Sequence, residues 1–159
     1  MPFRLDLLRH GEALAARGDG DAARALSEAG RRTVARIAEE YERRGWHPAR
    51  VFTSPMRRAQ ETAAIVIARA APGIEPETLD ELVPDHGPED VVAALNARDT
   101  AGHVLLVGHQ PQLGGLAAYL TGGPEPGMAP GALACLEIAG LPGRGSGRML
   151  WLLHPDHLP

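Results

Sequence analysis

The sequence contains no lysine, and all sixteen of its basic residues are arginine. An arginine guanidinium is a planar fork of donors, so every fixed cation of this chain is suited to bind a carboxylate or a phosphate. The formal net charge is −4, so the surface as a whole does not favour binding to nucleic acid.

Cysteine is almost absent as well. Cys135 is the single cysteine, which excludes an internal disulfide, and it lies in the apolar run 132–139. We therefore interpret it as a small buried hydrophobic residue. No Cys/His pair and no His-x-x-x-His spacing indicates a metal site, so we expect no metal and no cofactor.

Long hydrophobic runs are lacking too, and none approaches the length of a membrane span. The sequence begins Met-Pro-Phe-Arg and enters an apolar segment without the hydrophobic region of a signal peptide. We expect a cytoplasmic protein with no membrane partner. The length of 159 residues suits a single domain, residues 1–159, with a substantial core.

What is present is a regular alternation of strand and helix patterns. Residues 3–8, 50–53, 78–79 and 103–107 are typical of strands. Helices are predicted from residue 28 to about 44, from 55 to about 70, from 88 through at least 95, and from 111 through at least 120. The segments 132–139 and 149–153 are joined by a glycine-rich connection and predict a C-terminal β-hairpin. The fold class predicted is α/β, a three-layer αβα sandwich with a mostly parallel sheet.

Polar residues follow three of the predicted strands. Arg9, His10 and Gly11 follow the first, Ser54 to Arg58 follows the second, and Gly108-His109 follows the fourth. Since the carboxyl ends of parallel strands lie along one edge of a sheet, these groups are expected to converge. We expect Ser54 to cap a helix with Pro55 at its first position, and the free amides there to attract an anion. Two arginines and two histidines around this point suit a phosphoryl group.

Four short segments of the sequence, taken together, resemble the motifs of a known family. They are residues 8–12 (Leu-Arg-His-Gly-Glu), residues 54–59 (Ser-Pro-Met-Arg-Arg-Ala) with Thr62-Ala63, residues 81–84 (Glu-Leu-Val-Pro), and residues 107–109 (Val-Gly-His). In this order they resemble the successive motifs of the histidine phosphatase superfamily, whose fold is phosphoglycerate-mutase-like. The short chain and the Glu-Leu-x-Pro segment are most similar to its SixA-type phosphohistidine phosphatase branch.

The resemblance implies a role for each matching residue. His10 matches the nucleophile that becomes phosphorylated, which requires a neutral imidazole whose other nitrogen is held by an acceptor such as a backbone carbonyl. Arg9, Arg58 and His109 match the residues that bind the phosphoryl oxygens. Arg24 matches an arginine that the SixA-type branch presents to the pocket, although a solvated loop arginine is the alternative.

The general acid is less well defined by the sequence. Glu81 matches the acidic residue that protonates the leaving group in much of the superfamily, but Asp80 and Asp85 lie close by. Several residues also depart from the family pattern, and these put substrate orientation in doubt: Glu61, Gln110, Gln112 and the run 129–131 (Ala-Pro-Gly).

The function predicted is a metal-independent phosphatase that forms a phosphohistidine intermediate on His10 and acts on phosphohistidine in proteins. The alternatives are a small-molecule phosphomonoesterase and a non-catalytic phosphate-binding module on the same fold. The partner is therefore a phosphorylated protein or a small phosphoester, and a monomer is expected. Only about fifteen residues separate Gly11 from the first helix, and the 71–88 connection is also short, so neither can enclose a small metabolite.

Overall fold

A single six-stranded sheet forms the centre of the protein, as seen in a computed structural model that describes residues 3–159. The strands are β1 (Phe3–Arg9), β2 (Arg50–Thr53), β3 (Glu77–Thr78), β4 (His103–Gly108), β5 (Leu133–Ile138) and β6 (Gly147–Leu153). Their order across the sheet is β3-β2-β4-β1-β5-β6. The first four of these positions pair in parallel, whereas β5 pairs antiparallel with β1 and with β6.

Four helices cover the two faces of the sheet. They are α1 (Glu28–Arg44), α2 (Arg57–Ala70), α3 (Pro88–Asn96) and α4 (Gln112–Thr121). The apolar side chains of α1 and α2 pack with Leu8 and Val107 on one face, and those of α3 and α4 pack with Leu7 and Leu106 on the other. Because side chains alternate between the faces of a strand, β1 and β4 contribute to both cores. The three-layer α/β fold and the C-terminal hairpin are confirmed.

Local signals in the sequence place most helix boundaries correctly. The Ser27 hydroxyl accepts a hydrogen bond from the amide of Gly30 at 3.0 Å, as expected of an N-cap, and α1 ends at Gly45 in the left-handed conformation. Cys135 is buried as expected. Within residues 3–159, no helix is both long and apolar enough to cross a membrane.

The predicted start of α2 was wrong by two residues. The helix begins at Arg57 with Met56 at its N-cap, rather than at Pro55 with Ser54 at its N-cap. The Ser54 hydroxyl accepts from the Met56 amide at 3.2 Å and also lies 2.7 Å from His109 Nε2, so it stabilises a turn that precedes the helix.

Two further expectations require correction. The third strand comprises Glu77 and Thr78, and Leu79 follows it as a fully buried residue. The helical spacing of the sequence predicts that Glu40 belongs to the solvated face of α1, together with Arg31, Arg32, Arg36 and Glu39. In the structure Glu40 is only 4% exposed. Its carboxylate pairs with Arg43 and Arg44 of the next turn, and these cations compensate for the burial of its charge.

Candidate active site

His10 follows the last residue of β1, at the carboxyl edge of the parallel strands. Its Nδ1 lies 2.6 Å from the carbonyl oxygen of Gly11. Since a carbonyl only accepts, Nδ1 carries the proton of the neutral ring and Nε2 keeps its lone pair. The side chain is buried, and Nε2 faces Arg58, whose Nε lies 3.4 Å away. This is the tautomer that a nucleophilic imidazole needs.

The close approach of the Gly11 segment to α1 holds this turn in place. A Cβ on Gly11 would lie 2.8 Å from Val34 Cγ2 and 3.0 Å from the Gly30 carbonyl oxygen. The Gly11 amide donates to Thr62 Oγ1 of α2 at 3.1 Å. Glycine at this position therefore serves packing against two helices rather than the approach of a ligand.

His109 lies beside His10, with the two ring centroids 5.0 Å apart. Its Nε2 is 2.7 Å from the hydroxyl of Ser54, which has already accepted the Met56 amide and so has its proton free to donate. Within residues 3–159, His109 Nδ1 is buried without a hydrogen-bond partner. A buried nitrogen of this kind calls for a partner, and a phosphoryl oxygen at the site would supply one.

The two histidines occupy an environment that opposes their protonation. Burial, helped by the charges of Arg58, Arg9 and Arg24, lowers the pKa of His10 to about 4, against the opposite effect of the Gly11 carbonyl. Burial, together with His10 and Arg58, lowers the pKa of His109 to about 4 as well. Both rings are therefore neutral at physiological pH.

An open cavity of about 330 Å³ brings the predicted phosphoryl-binding residues together. It is lined by Arg9, His10, Glu12, Ala13, Arg24, Arg58, Pro84, His109, Gln110 and Pro130. The guanidinium of Arg9 donates to the Met128 carbonyl at 2.8 Å, which orients it at the cavity wall. Three arginines around two neutral histidines make this a site for an anion with several oxygens. No group of three or more His, Cys, Asp or Glu residues within 3–159 could hold a metal ion.

Arg24 and Arg58 are joined by a residue that the sequence reasoning missed. Asp21, in a short 3₁₀ turn, accepts from Arg24 Nη1 at 3.1 Å and from Arg58 Nη2 at 3.2 Å. The hydrogen bond from Arg24, and then the Arg58 guanidinium, hold the pKa of Asp21 below its usual value. The Asp-x-x-Arg spacing of Asp21 and Arg24 is visible in the sequence, but Arg58, the second partner of Asp21, is 37 residues away along the chain.

One carboxylate is arranged differently from expectation. Glu12 is exposed, lines the cavity and accepts a hydrogen bond from Ser27 at 3.0 Å. Glu81 does not line the cavity, and it is Pro84 of the same loop that does. The predicted helix start, Ser54 to Arg57, is not among the lining residues, and Arg58 is the residue of α2 that contributes to the cavity.

Two departures from the family pattern serve the scaffold. The Gln112 amide nitrogen lies within 2.7–2.9 Å of the carbonyls of Glu81, Val83 and His86, and so fixes the loop before α3. Gln110 Oε1 accepts from the Gly114 amide at 2.7 Å, within the first turn of α4.

Glu61 has a similar role between helices. It accepts from the Leu26 amide at 2.8 Å and pairs with Arg57 and Arg31, so it links the start of α1 to α2. Among residues 129–131, Pro130 lines the cavity.

Comparison with known proteins shows the family of the chain. The family model of the histidine phosphatase superfamily (branch 1) matches residues 5–84. An uncharacterized protein of Picosynechococcus sp. is 32% identical over 141 residues, which cover 87% of this chain and 81% of that protein.

Solved structures extend the similarity over nearly the whole chain. The protein histidine phosphatase SixA, determined as a complex with tungstate, superposes with a TM-score of 0.87 at 27% identity and covers 96% of this chain and 97% of that one. A candidate phosphohistidine phosphatase SixA from Agrobacterium tumefaciens gives a TM-score of 0.82 at 28% identity, covering 98% and 99%. A candidate alpha-ribazole-5'-P phosphatase from Escherichia coli, 20% identical with a TM-score of 0.75 and 98% of each chain covered, shares the fold. The chain therefore belongs to branch 1 of the histidine phosphatase superfamily and is of the SixA type.

Proposed function

We propose that this protein hydrolyses phosphohistidine in proteins through a phosphoryl intermediate on His10. The observation that carries the proposal is the state of His10: its Nδ1 proton is directed to the Gly11 carbonyl, and its Nε2 lone pair faces the cavity arginine Arg58. A neutral imidazole in this tautomer can attack phosphorus without first losing a proton.

In the first step, a bond forms between His10 Nε2 and phosphorus while the bond from phosphorus to the leaving nitrogen breaks. The leaving imidazole takes up a proton from solvent. In the second step, water attacks the phosphorus and gives up a proton to solvent, the bond to Nε2 breaks, and inorganic phosphate leaves. No metal is needed, because cationic side chains stabilise the charge on the phosphoryl oxygens.

The roles that we assign to the arginines and to His109 follow from their positions in the cavity lining. Arg9 and Arg58 offer planar donors to the equatorial oxygens, and His109 offers its unpartnered Nδ1. Arg24 lines the same wall and adds positive charge. Glu81 keeps the role of general acid for alkyl phosphoesters, for which its loop would have to bring it to the cavity, and a phosphorylated imidazole departs with little such help.

A protein substrate is favoured by the openness of the site. The cavity is open and is formed by short segments, and Gln112 holds the loop before α3 against α4. The solved relatives at 27–28% identity are described as histidine phosphatases of the SixA type. The second candidate function is small-molecule phosphomonoesterase activity, because a volume of about 330 Å³ is also sufficient for a small phosphoester.

The proposal is tested by trapping the intermediate. Brief reaction with a labelled phosphohistidine protein, followed by quenching in alkali, should leave phosphate on His10, stable in alkali and labile in acid. His10→Ala should abolish labelling and nearly all turnover while retaining the melting temperature within a few degrees. Substantial residual turnover in this variant would remove the covalent mechanism.

The alternative of a non-catalytic module predicts a different result. Such a module would bind inorganic phosphate with no labelling of His10 and no turnover on any phosphoramidate or phosphoester. Binding without labelling in the wild-type protein would therefore replace the proposed function by this one.

A further inference from the structure

Asp21 contacts two of the three cavity arginines with three oxygen contacts. Its carboxylate accepts from Arg24 Nη1 through Oδ1 and from Arg58 Nη2 through Oδ2, at 3.1 and 3.2 Å. Its backbone carbonyl accepts from Arg58 Nη1 at 3.0 Å. The Arg58 side chain is only 8% exposed, whereas that of Asp21 is 56% exposed. A solvent-facing carboxylate is thus bound to a buried cation of the active site.

The geometry of these bonds divides the Arg58 guanidinium into two edges. Asp21 occupies the end formed by Nη1 and Nη2. The side edge, formed by Nε and Nη2, lies toward the nucleophile, and its Nε is 3.4 Å from His10 Nε2. A guanidinium binds a phosphoryl group through one such pair of parallel donors. Asp21 therefore binds the edge that faces away from His10 and puts no carboxylate on the edge that faces it.

The same carboxylate also holds Arg24 at the cavity. Arg24 Nε donates to the Leu14 carbonyl at 2.7 Å, and Asp21 Oδ1 holds Nη1, so the guanidinium is fixed between two acceptors of its own loop. Without Asp21, the loop 13–26 would lose its ionic link to α2. Arg24 and Arg58 would also lose the carboxylate that accepts hydrogen bonds from both of them.

We propose that Asp21 is a positioning residue that orients Arg58 and Arg24 for phosphoryl binding and transfer. The proposal rests on the proposed function for its kinetic readout, but its binding readout is independent of turnover. An opposite effect is physically conceivable: a carboxylate near a phosphoryl dianion repels it, so a residue that acted only through its charge would weaken anion binding. The two roles predict opposite signs for Asp21→Ala.

The experiment compares Asp21→Ala with Asp19→Ala. Asp19 is an exposed carboxylate of the same loop, and the ion pairs of Arg24 and Arg58 are formed with Asp21. Asp21→Ala should lower kcat by about tenfold or more, since small displacements of positioning groups cost this much or more. It should also raise the Kd for inorganic phosphate, measured by calorimetry. Asp21→Glu should restore part of kcat, and Asp19→Ala should leave both quantities unchanged.

A double-mutant cycle excludes a merely structural role. Because Asp21 acts through Arg58, adding Asp21→Ala to an Arg58→Ala protein should reduce kcat much less than it does in the wild type. Equal reductions in both backgrounds would overturn the proposal, as would an unchanged kcat or a tighter phosphate Kd in Asp21→Ala. A wild-type protein with no turnover would instead overturn the proposed function, and the phosphate Kd would still decide the role of Asp21.

Discussion

The two histidines of the site are kept neutral by burial and by neighbouring arginines. The pKa of His10 and that of His109 are both lowered to about 4. The two neutral rings offer different groups to a ligand. His10 presents the lone pair of Nε2, whereas His109 presents Nδ1, which has no hydrogen-bond partner within residues 3–159. The arginines to which we assign phosphoryl binding therefore also help to keep His10, the proposed nucleophile, neutral.

We predict that both rings remain neutral down to about pH 5. Nitrogen-detected NMR of the imidazoles should show both rings neutral at pH 6, with His10 in the Nδ1–H tautomer and midpoints near the value of about 4. Exposed His157 serves as an internal control for an accessible histidine. A midpoint at or above about 6.5, the ordinary value, for either buried ring would contradict the prediction.

The same shifts set the direction of the pH dependence of stability. Since the folded pKa lies below the unfolded one, the unfolded chain binds more protons between these values. The contribution of the two rings to the free energy of unfolding is retained above about pH 6.5 and falls as the pH decreases toward 4. In urea titrations, His10→Ala should show a smaller loss of stability between pH 7 and 5 than the wild type.

At the scale of the elements, the contact between the turn after β1 and the start of α1 sets the position of His10. The Glu12 carbonyl accepts from the Ser27 amide at 2.9 Å, and an added Cβ on Gly30 would lie 2.2 Å from that carbonyl oxygen. The backbones approach so closely that only glycine fits at this position of α1. Helix α1 therefore packs directly against the turn that carries His10.

We predict that Gly30→Ala destabilises the protein although alanine is the better helix former. Propensity alone would stabilise the helix by up to about 1 kcal/mol. The clash with the Glu12 carbonyl should reverse the sign and cost about 1–3 kcal/mol, measured by urea unfolding. Gly115→Ala in α4 is the matched control, because the nearest atom to its added Cβ is the mobile end of Glu125 at 3.2 Å. Equal effects of the two substitutions would contradict this explanation.

At the scale of the whole molecule, an open cavity lies at the carboxyl edge of the parallel strands within the described residues 3–159. It is placed among the ends of β1 and β4, the start of α2 and the loop 13–26. Under the proposed function, such a cavity binds the phosphoryl group and leaves the remainder of the substrate outside. This geometry suits a phosphorylated side chain that projects from another protein.

We predict that kcat/KM is higher for a phosphohistidine protein than for sugar phosphates or phosphoserine peptides. Glu81→Gln should hardly slow phosphohistidine hydrolysis, and it should slow any activity on alkyl phosphoesters, whose leaving groups need protonation. His10→Ala supplies the background rate of spontaneous hydrolysis. If a small phosphoester is preferred by tenfold or more, equivalent to about 1.4 kcal/mol of transition-state stabilisation, the substrate assignment is wrong.

The order of strands and helices could be read from the sequence because local patterns encode it. The apolar stripe Val34, Ile37, Ala38 and Tyr41 is fully buried in α1, as its helical spacing predicts. The grouping of Arg9, His10, Arg58 and His109 also followed, since parallel strands must end at one edge. These features depend on periodicity and chain direction, which are local properties.

Other features depended on contacts between distant residues. Asp6 lies in the middle of the apolar β1 segment and is fully buried. Its carboxylate accepts from Arg4 at 3.0 Å, from His103 at 2.7 Å and from the Tyr41 hydroxyl. Burial raises the pKa of Asp6, but His103 and Arg4 lower it by more, so the carboxylate stays ionised. No local pattern signals this arrangement, because its partners come from three elements.

The α/β class, the order of the elements and the family follow from the sequence, because each is carried by short motifs and regular spacing. The carboxylates that contact the site are known only from the folded chain, in which Asp21 pairs with Arg24 and Arg58, Glu12 lines the cavity and Glu81 lies outside it. A carboxylate acquires such a role only from the charges that folding brings within hydrogen-bond distance. These charges come from segments whose separation along the chain carries no information about their distance in space.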